Sequence, residues 1–354
     1  MITGQRLLGI GLPAGLTVES NHDVSRARNL ADAAAQAQGF DQIHRERAAL
    51  VATEIATNLV RQSPSGRICV QLLECGDLKG VEILALDPGP GMTVADTRVA
   101  GADPSGDSPA GVGTVARVCD LFDSYSSPGR GTVTMSRLWG GKLDVPSRGG
   151  FLIGSMIDPI PGEEVSGDAW AAEQSGNRVV ALVADGLGHG IDAAAASVAA
   201  VKVFRERHKE SVEEITGHIH RALRGTRGAA IAVAEVDPDI GRIRFCGIGN
   251  ISARLLVAGA DRNLISHFGI AGYQARHIRA YEEAWEVGAL LVMHSDGVLP
   301  TWDLGAYPGL LGHHPQLAAA TVMRDAPRAT DDALVLALQL ADGFDAATDV
   351  EARR

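Results

Sequence analysis

The chain has 354 residues, enough for two domains of ordinary size. Hydrophobic residues make up 45% and charged residues 21%, which fills a packed core and excludes wholesale disorder. Lys and Arg number 32 against 43 Asp and Glu, a net charge of -11, so neither nucleic acid nor an anionic membrane is an expected partner.

Residues 7–16 are apolar but interrupted by Gly9, Gly11, Pro13 and Gly15, which reads as a leading strand and turn. Two helices follow between residues 24 and 62. The first carries apolar positions from Ala27 to Ala35 and stops at Gly39; the second runs from about Gln42 to Arg61 with a stripe of Leu50, Val51, Ile55 and Leu59. Strands are expected at 67–73 and 81–86, the latter running into Asp87-Pro88-Gly89-Pro90-Gly91. Residues 96–113 are rich in Gly, Pro, Asp and Ser and read as a long loop. A helix over 112–122 and a strand over 132–136 complete the first half, and glycines and Pro146 place a domain boundary near 140–150.

Beyond it, strands are expected at 151–157, 179–184, 229–235, 242–246, 253–257, 289–294 and 332–340, with helices at 191–207 and 212–224. Helices grouped between runs of strands predict an α+β sandwich rather than a regular βαβ alternation. Cys69, Cys75, Cys119 and Cys246 are too scattered for a zinc site or disulfide scaffold and suggest free thiols. No apolar run approaches the roughly 18 residues of a membrane span, so a soluble cytoplasmic protein is expected.

Asp168, Asp185, Asp296 and the pair Asp331-Asp332 sit at strand ends, most of them beside glycine. Strand-end Asp-Gly is an ordinary turn signal, but four such places in one domain suggest all-oxygen ligation of hard divalent cations. Two such cations, about 3.5–4 Å apart, activate water for attack on phosphorus. These residues, with Pro159 through Asp168, Ala184 through Gly190 and Gly249-Asn250-Ile251, resemble the metal-dependent protein phosphatase (PPM) family, in its SpoIIE-like and RsbX-like branch. The resemblance implies an α/β/β/α sandwich over 148–342, followed by a tail, 343–354. It implies two Mn²⁺ or Mg²⁺ ions, with Asp185 bridging them and catalytic, the Gly186 carbonyl on one ion, and Asp168, Asp296 and Asp331 completing the ligand shells. Asp332 competes with Asp331 for its place, and Asp331 is preferred. His189 offers a proton donor or a turn former; His218, His220, His313 and His314 read as solvent-facing.

In the first half, Glu54 and Asn58 stand four residues apart on one helix face. Glu54 can act as a base and Asn58 can ligate Mg²⁺, while Asp87 can accept from an exocyclic amine. Gly89 and Gly91 let the chain bend closely, and Gly111 and Gly113 precede a helix whose amides suit phosphate. With Ala27-Arg28 through Gly39-Phe40, Ala52 through Val60 and Ser127 through Thr132, this series resembles the GHKL (Bergerat) ATP-binding fold of anti-sigma and switch serine kinases, RsbT-like in wording, over residues ~20–139 of an expected domain spanning 1–140. It implies Mg·ATP held by Asn58, Asp87, Gly89, Gly91, Gly111 and Gly113, Thr132 near adenine, and Glu54 as catalytic base. The segment after Gly113 has fewer glycines than such kinases carry. Together the two resemblances imply a serine kinase and a serine/threonine phosphatase acting on a STAS-domain anti-anti-sigma or stressosome partner, with a sigma factor or other regulator downstream. The alternative is a phosphatase whose N-terminal domain only binds nucleotide or docks a partner.

Overall fold

The computed structural model describes residues 6–10, 15–63, 65–91, 112–141, 150–257, 260–275 and 277–341. The chain divides into two compact units, neither of them continuous in sequence. One joins residues 1–14 to 146–304 and 314–343; the other takes 15–145, 305–313 and 344–354. The first strand, β1 (Arg6–Ile10), pairs with β8 (Asp168–Ser175) and so belongs with the C-terminal unit.

The N-terminal unit carries a five-stranded antiparallel sheet. Its order is β2 (Leu16–Val18), β3 (Gly66–Cys75), β4 (Leu78–Asp87), β6 (Gly131–Trp139), β5 (Leu121–Ser127). Helices α1 (Asn21–Ala37) and α2 (Gln42–Gln62) pack on it. Alanines 27, 31 and 35 recur every four residues on α1, forming a stripe of minimal bulk buried with Ala48, Ala52 and Ala56 of α2. Ile68, Val70, Val81, Ile83 and Ala85 supply the sheet side of the same core. Gly39, at φ +76°, ends α1 in the left-handed conformation that a glycine adopts without strain. Asp41 then caps α2 by accepting the His44 N–H at 2.9 Å.

The helix expected over 112–122 is shorter: α3 (Val112–Val118) stops and Leu121-Phe122 enter β5. The side chain of Arg47 takes up the Val118 carbonyl, and Asp120 accepts the Trp139 N–H at 2.7 Å, so the sheet recruits the residues that periodicity alone would leave helical. Most of the expected loop over 96–113 and the boundary over 142–149 lie outside the described residues.

In the C-terminal unit two antiparallel sheets face each other. One sheet has the order β1, β8, β9 (Arg178–Gly186), β10 (Ala229–Asp237), β11 (Arg242–Ile248), β16 (Tyr281–Ala284). The other runs β13 (Ala260–Leu264), β12 (Ser252–Val257), β17 (Leu290–His294), β18 (Ala333–Leu340), β7 (Phe151–Asp158). A two-stranded ribbon, β14 (Gly269–Ile270) and β15 (Gln274–Ala275), completes the count among described residues.

Alternation fixes which side chain meets which layer. On β9, Val179, Ala181 and Val183 join Trp170, Phe245, Leu291 and Leu336 between the sheets. Val180, Leu182 and Ala184 instead join Phe204, Ile215 and Ile219 from α4 (Ile191–Arg207) and α5 (Val212–Ala222). On the far side, α6 (Pro315–Asp325) packs on β7 and β18. Gln316 fixes its start, accepting the Ser155 N–H at 2.7 Å and donating to the Ser155 carbonyl at 2.8 Å. The unit is therefore an α+β fold layered α/β/β/α.

Sequence reading missed β8 and α6. The Ala-Trp-Ala-Ala-Glu-Gln run of β8 has weak strand propensity, and burial between two neighbouring strands and α4 overrides it. His314 is buried rather than solvent-facing, because its Nδ1 accepts the Gln316 N–H at the start of α6. His313 meets Asp123 at 2.8 Å, and the His220 Nδ1 accepts the Gly272 N–H at 3.1 Å.

Within the N-terminal sheet, Arg137 donates to fully buried Glu82 at 2.5 Å, and burial pushes the Glu82 carboxyl up. Replacing Arg137 by Met removes that partner while keeping volume. The expected cost is about 3 kcal/mol, read from the midpoint of urea unfolding.

Candidate active site

Asp168 opens β8 and Asp185 closes β9, and the two are register partners on adjacent strands. In the opposite sheet, β17 ends at His294 and β18 begins at Ala333, so Asp296 and Asp331 lie on the connections at one shared end. The two pairs meet at the same edge of the sandwich, where the Ser295 hydroxyl donates to Asp168 Oδ2 at 2.7 Å and so links the two sheets.

Close backbone approaches explain the glycines beside these acids. A side-chain carbon on Gly186 would come within 2.0 Å of the Ala193 carbonyl at the start of α4. One on Gly297 would come within 1.9 Å of the Asp332 carbonyl. Neither position has room for more than hydrogen.

The two neighbouring aspartates differ in what they hold. Asp332 is buried and accepts two backbone N–H groups, from Ile160 at 2.8 Å and from Gly167 at 2.8 Å, which pins the loop leading into Asp168. Asp331 is half-buried and its Oδ1 accepts the Asp332 N–H at 3.0 Å. Asp296 accepts from the Asn250 side chain at 2.7 Å. Asn250 and Ser295 are partners that the sequence reading did not assign, although Asn250 lies inside a motif it quoted and Ser295 directly precedes Asp296. His189 stands outside the cluster in an exposed pair with Glu163 at 2.8 Å.

The cluster is under electrostatic load. Burial, then repulsion from Asp296, Asp331 and Asp332, pushes Asp185 up to about 8. Burial and the Asp185 charge raise Asp168 well above the usual carboxylate range, against the opposing Ser295 hydrogen bond. Burial and Asp331 also raise Asp296. Asp168 Oδ1 is buried with no hydrogen-bond partner among the described residues. Oxygen donors, mutual repulsion and an unpartnered buried oxygen fit a hard divalent cation. The side chains are not closed around one point: among the described residues no three His, Cys, Asp or Glu groups stand at metal-holding distance.

In the N-terminal unit, Glu54 and Asn58 are half-buried on α2. Asp87 ends β4, buried, and its Oδ1 accepts the Gly89 N–H at 2.6 Å. Thr132 is its register partner on β6 and shares a 2.8 Å hydrogen bond with Ser126. Gly91, at φ +68°, lies so close to the Ser127 carbonyl that a side-chain carbon there would come within 2.0 Å of it. Thus Asp87, Gly89, Gly91 and Thr132 gather at one end of the sheet. Gly113 lies in α3, which packs on α2, and Gly111 lies outside the described residues.

Residues 175–341 match the family described as Stage II sporulation protein E (SpoIIE). Phosphoserine phosphatase RsbX of Bacillus subtilis (strain 168) is 24% identical over 140 residues, 39% of this chain and 69% of RsbX. Serine/threonine-protein kinase RsbT of the same organism is 30% identical over 118 residues, 33% of this chain and 89% of RsbT. A solved chain described as "The bacterial stressosome: a modular system that has been adapted to control secondary messenger signaling" superposes with a TM-score of 0.50 at 27% identity. It covers 54% of this chain and 100% of its own length.

The C-terminal unit is accordingly a PPM/PP2C-type phosphatase domain. Its kind is SpoIIE/RsbX-like, and through a partial homology confined to the N-terminal part the chain also belongs to the family of RsbT. Among the described residues no helix is long and apolar enough to cross a membrane.

The raised carboxyls give a pH signature. Folded and metal-free, Asp185 keeps its proton up to about 8, against an ordinary value of 3.8. Its contribution to stability is therefore full below about pH 4 and is lost as pH rises toward 8. The melting temperature of chelator-treated protein should fall across that window, and added Mn²⁺ should flatten the decline.

Proposed function

We propose that this chain is a metal-dependent phosphatase acting on phosphoserine or phosphothreonine of a protein partner, with an N-terminal domain that binds nucleotide or docks that partner. The observation that carries the reading is the gathering of mutually repelling carboxylates, one buried and three half-buried, at one edge of the sandwich, with Asp168 Oδ1 unpartnered among the described residues. Asp168, Asp185, Asp296, Asp331 and the Gly186 carbonyl are the groups that would hold two Mn²⁺ or Mg²⁺ ions, with Asp185 shared between them. When bound, such ions lower the pKa of water and offset negative charge on a phosphoryl group.

The chain's own residues do the rest. Asp332 fixes the 159–167 loop through two backbone N–H groups, and Asn250 orients Asp296. Glycines 186 and 297 keep the backbone of the acid-bearing turns close to its neighbours, so the carboxylates are held on rigid strand ends.

For the N-terminal unit the reading is a GHKL-type (Bergerat) nucleotide site. Asn58, Asp87, Gly89, Gly91, Gly111, Gly113 and Thr132 would hold Mg·ATP. Phosphotransfer with Glu54 as base is the second reading, favoured by the RsbT similarity and by the placement of Glu54 one turn from Asn58 on α2. The partner that suits both halves is a STAS-domain phosphoprotein of the anti-anti-sigma or stressosome kind, with a sigma factor or other regulator downstream. A phosphate adds about -1.5 to -2 charges, enough to make or break such an interface.

Replacing Asp185 by Asn should lower Mn²⁺-dependent phosphate release from a phosphorylated STAS-domain protein about a thousandfold; a variant as active as wild type would overturn the assignment. Calorimetric titration of Mg·ATP should show saturable binding that Asp87→Asn abolishes. Absence of binding in the wild-type protein would leave docking as the role of this domain. Transfer of label from γ-labelled ATP to the partner, lost in Glu54→Gln, would be the mark of a kinase.

A further inference from the structure

Ser295 is fully buried, and its hydroxyl makes two hydrogen bonds of opposite sense. Its Oγ accepts the Leu334 N–H at 2.9 Å, so its single proton is directed to Asp168 Oδ2 at 2.7 Å. The Ser295 backbone N–H donates in turn to the Leu334 carbonyl at 3.1 Å, which fixes where the hydroxyl starts from. Asp168 is thereby made asymmetric: one oxygen is held by a fixed donor, and the other is buried without a partner among the described residues. The neighbouring Asp168 N–H is taken by Ser166 Oγ at 3.1 Å, so the backbone of the residue is anchored as well.

We propose that Ser295 is a positioning residue for the phosphatase cation: by engaging Asp168 Oδ2 it sets the torsion of the carboxylate and leaves Oδ1 as the oxygen offered to the ion. This inference rests on the reading of the carboxylate cluster as a metal site. The same serine joins the two sheets, since Asp168 belongs to one and the β17–β18 pair to the other. A purely structural serine would show itself in stability alone; a positioning serine shows itself in metal affinity, because groups that orient metal ligands typically change affinity 10–100-fold when removed.

The test is a titration of Mn²⁺ into the full chain, followed by the magnetic resonance signal of the free ion, for wild type, Ser295→Ala and Asp185→Asn. Unfolding temperature is measured in parallel in chelator. The expected result is Mn²⁺ binding about tenfold weaker in Ser295→Ala, with wild-type circular dichroism. If that variant does not fold, Ser295→Cys takes its place with a similar expected loss, since a thiol fills the site but donates weakly. Wild-type Mn²⁺ affinity combined with a lowered melting temperature would make Ser295 a structural tie only and overturn the inference. Failure of wild type itself to take up Mn²⁺ would overturn the metal reading on which it rests, and Asp185→Asn, expected to lose binding, reports on that reading separately.

Discussion

Repulsion among carboxylates that the fold forces together is the constraint around which the C-terminal unit is arranged. Asp168 and Asp185 are adjacent across one sheet, while Asp296 and Asp331 approach from the other. In water these side chains would rotate apart, and none would titrate abnormally. Here strand ends fix their backbones and burial removes the solvent that would screen them, so Asp168, Asp185 and Asp296 are all raised. A sandwich tolerates such a cluster because its hydrophobic layers lie behind it. Phe245, Leu291 and Leu336 fill one layer and Phe204 and Ile215 the next.

The hydrogen bonds around the acids divide the work. Asp332 has both oxygens occupied by backbone N–H groups and acts as a fastener for the loop before β8. Ser295 and Asn250 each engage one oxygen of an acid in the cluster and constrain it without neutralising it. The difference between structural and available carboxylates follows from how many backbone donors reach each one, not from residue type. The same logic holds in the N-terminal sheet, where Asp87 is steadied by the Gly89 N–H at the mouth of β4.

Much of this was legible in the sequence, for identifiable reasons. The helix at 191–207 was readable because periodicity and flanking signals agree, and β9 and β18 because their apolar runs are bounded by turn residues. The strand-end acids could be picked out because glycine beside aspartate is conspicuous at the end of an apolar run. What could not be read was set by tertiary contact. The alanines of β8 favour a helix until two strands and α4 enclose them. Leu121 and Phe122 continue a helical pattern until Asp120 bonds to the Trp139 N–H. That Asp332 rather than Asp331 is tied to two backbone N–H groups depends on donors from residues 160 and 167, far away in the chain, which no local pattern reveals.

The pairing of β1 with β8 has a bearing on how the protein is made. Arg6 is the register partner of Glu173 in that ladder, so β1 is synthesised long before the strand it pairs with, and residues 15–145 come between them in the chain. Residues 15–91 can reach their own sheet order while β1 is still unpaired, and β8 can join β9 by a tight turn as soon as both are synthesised. The assembly of the two units is therefore interleaved, with one sheet edge left open until late in synthesis. An open edge is a template for pairing with other chains. A shortened protein beginning after the N-terminal unit would keep that edge open permanently, with β8 exposed to strand addition by a second copy.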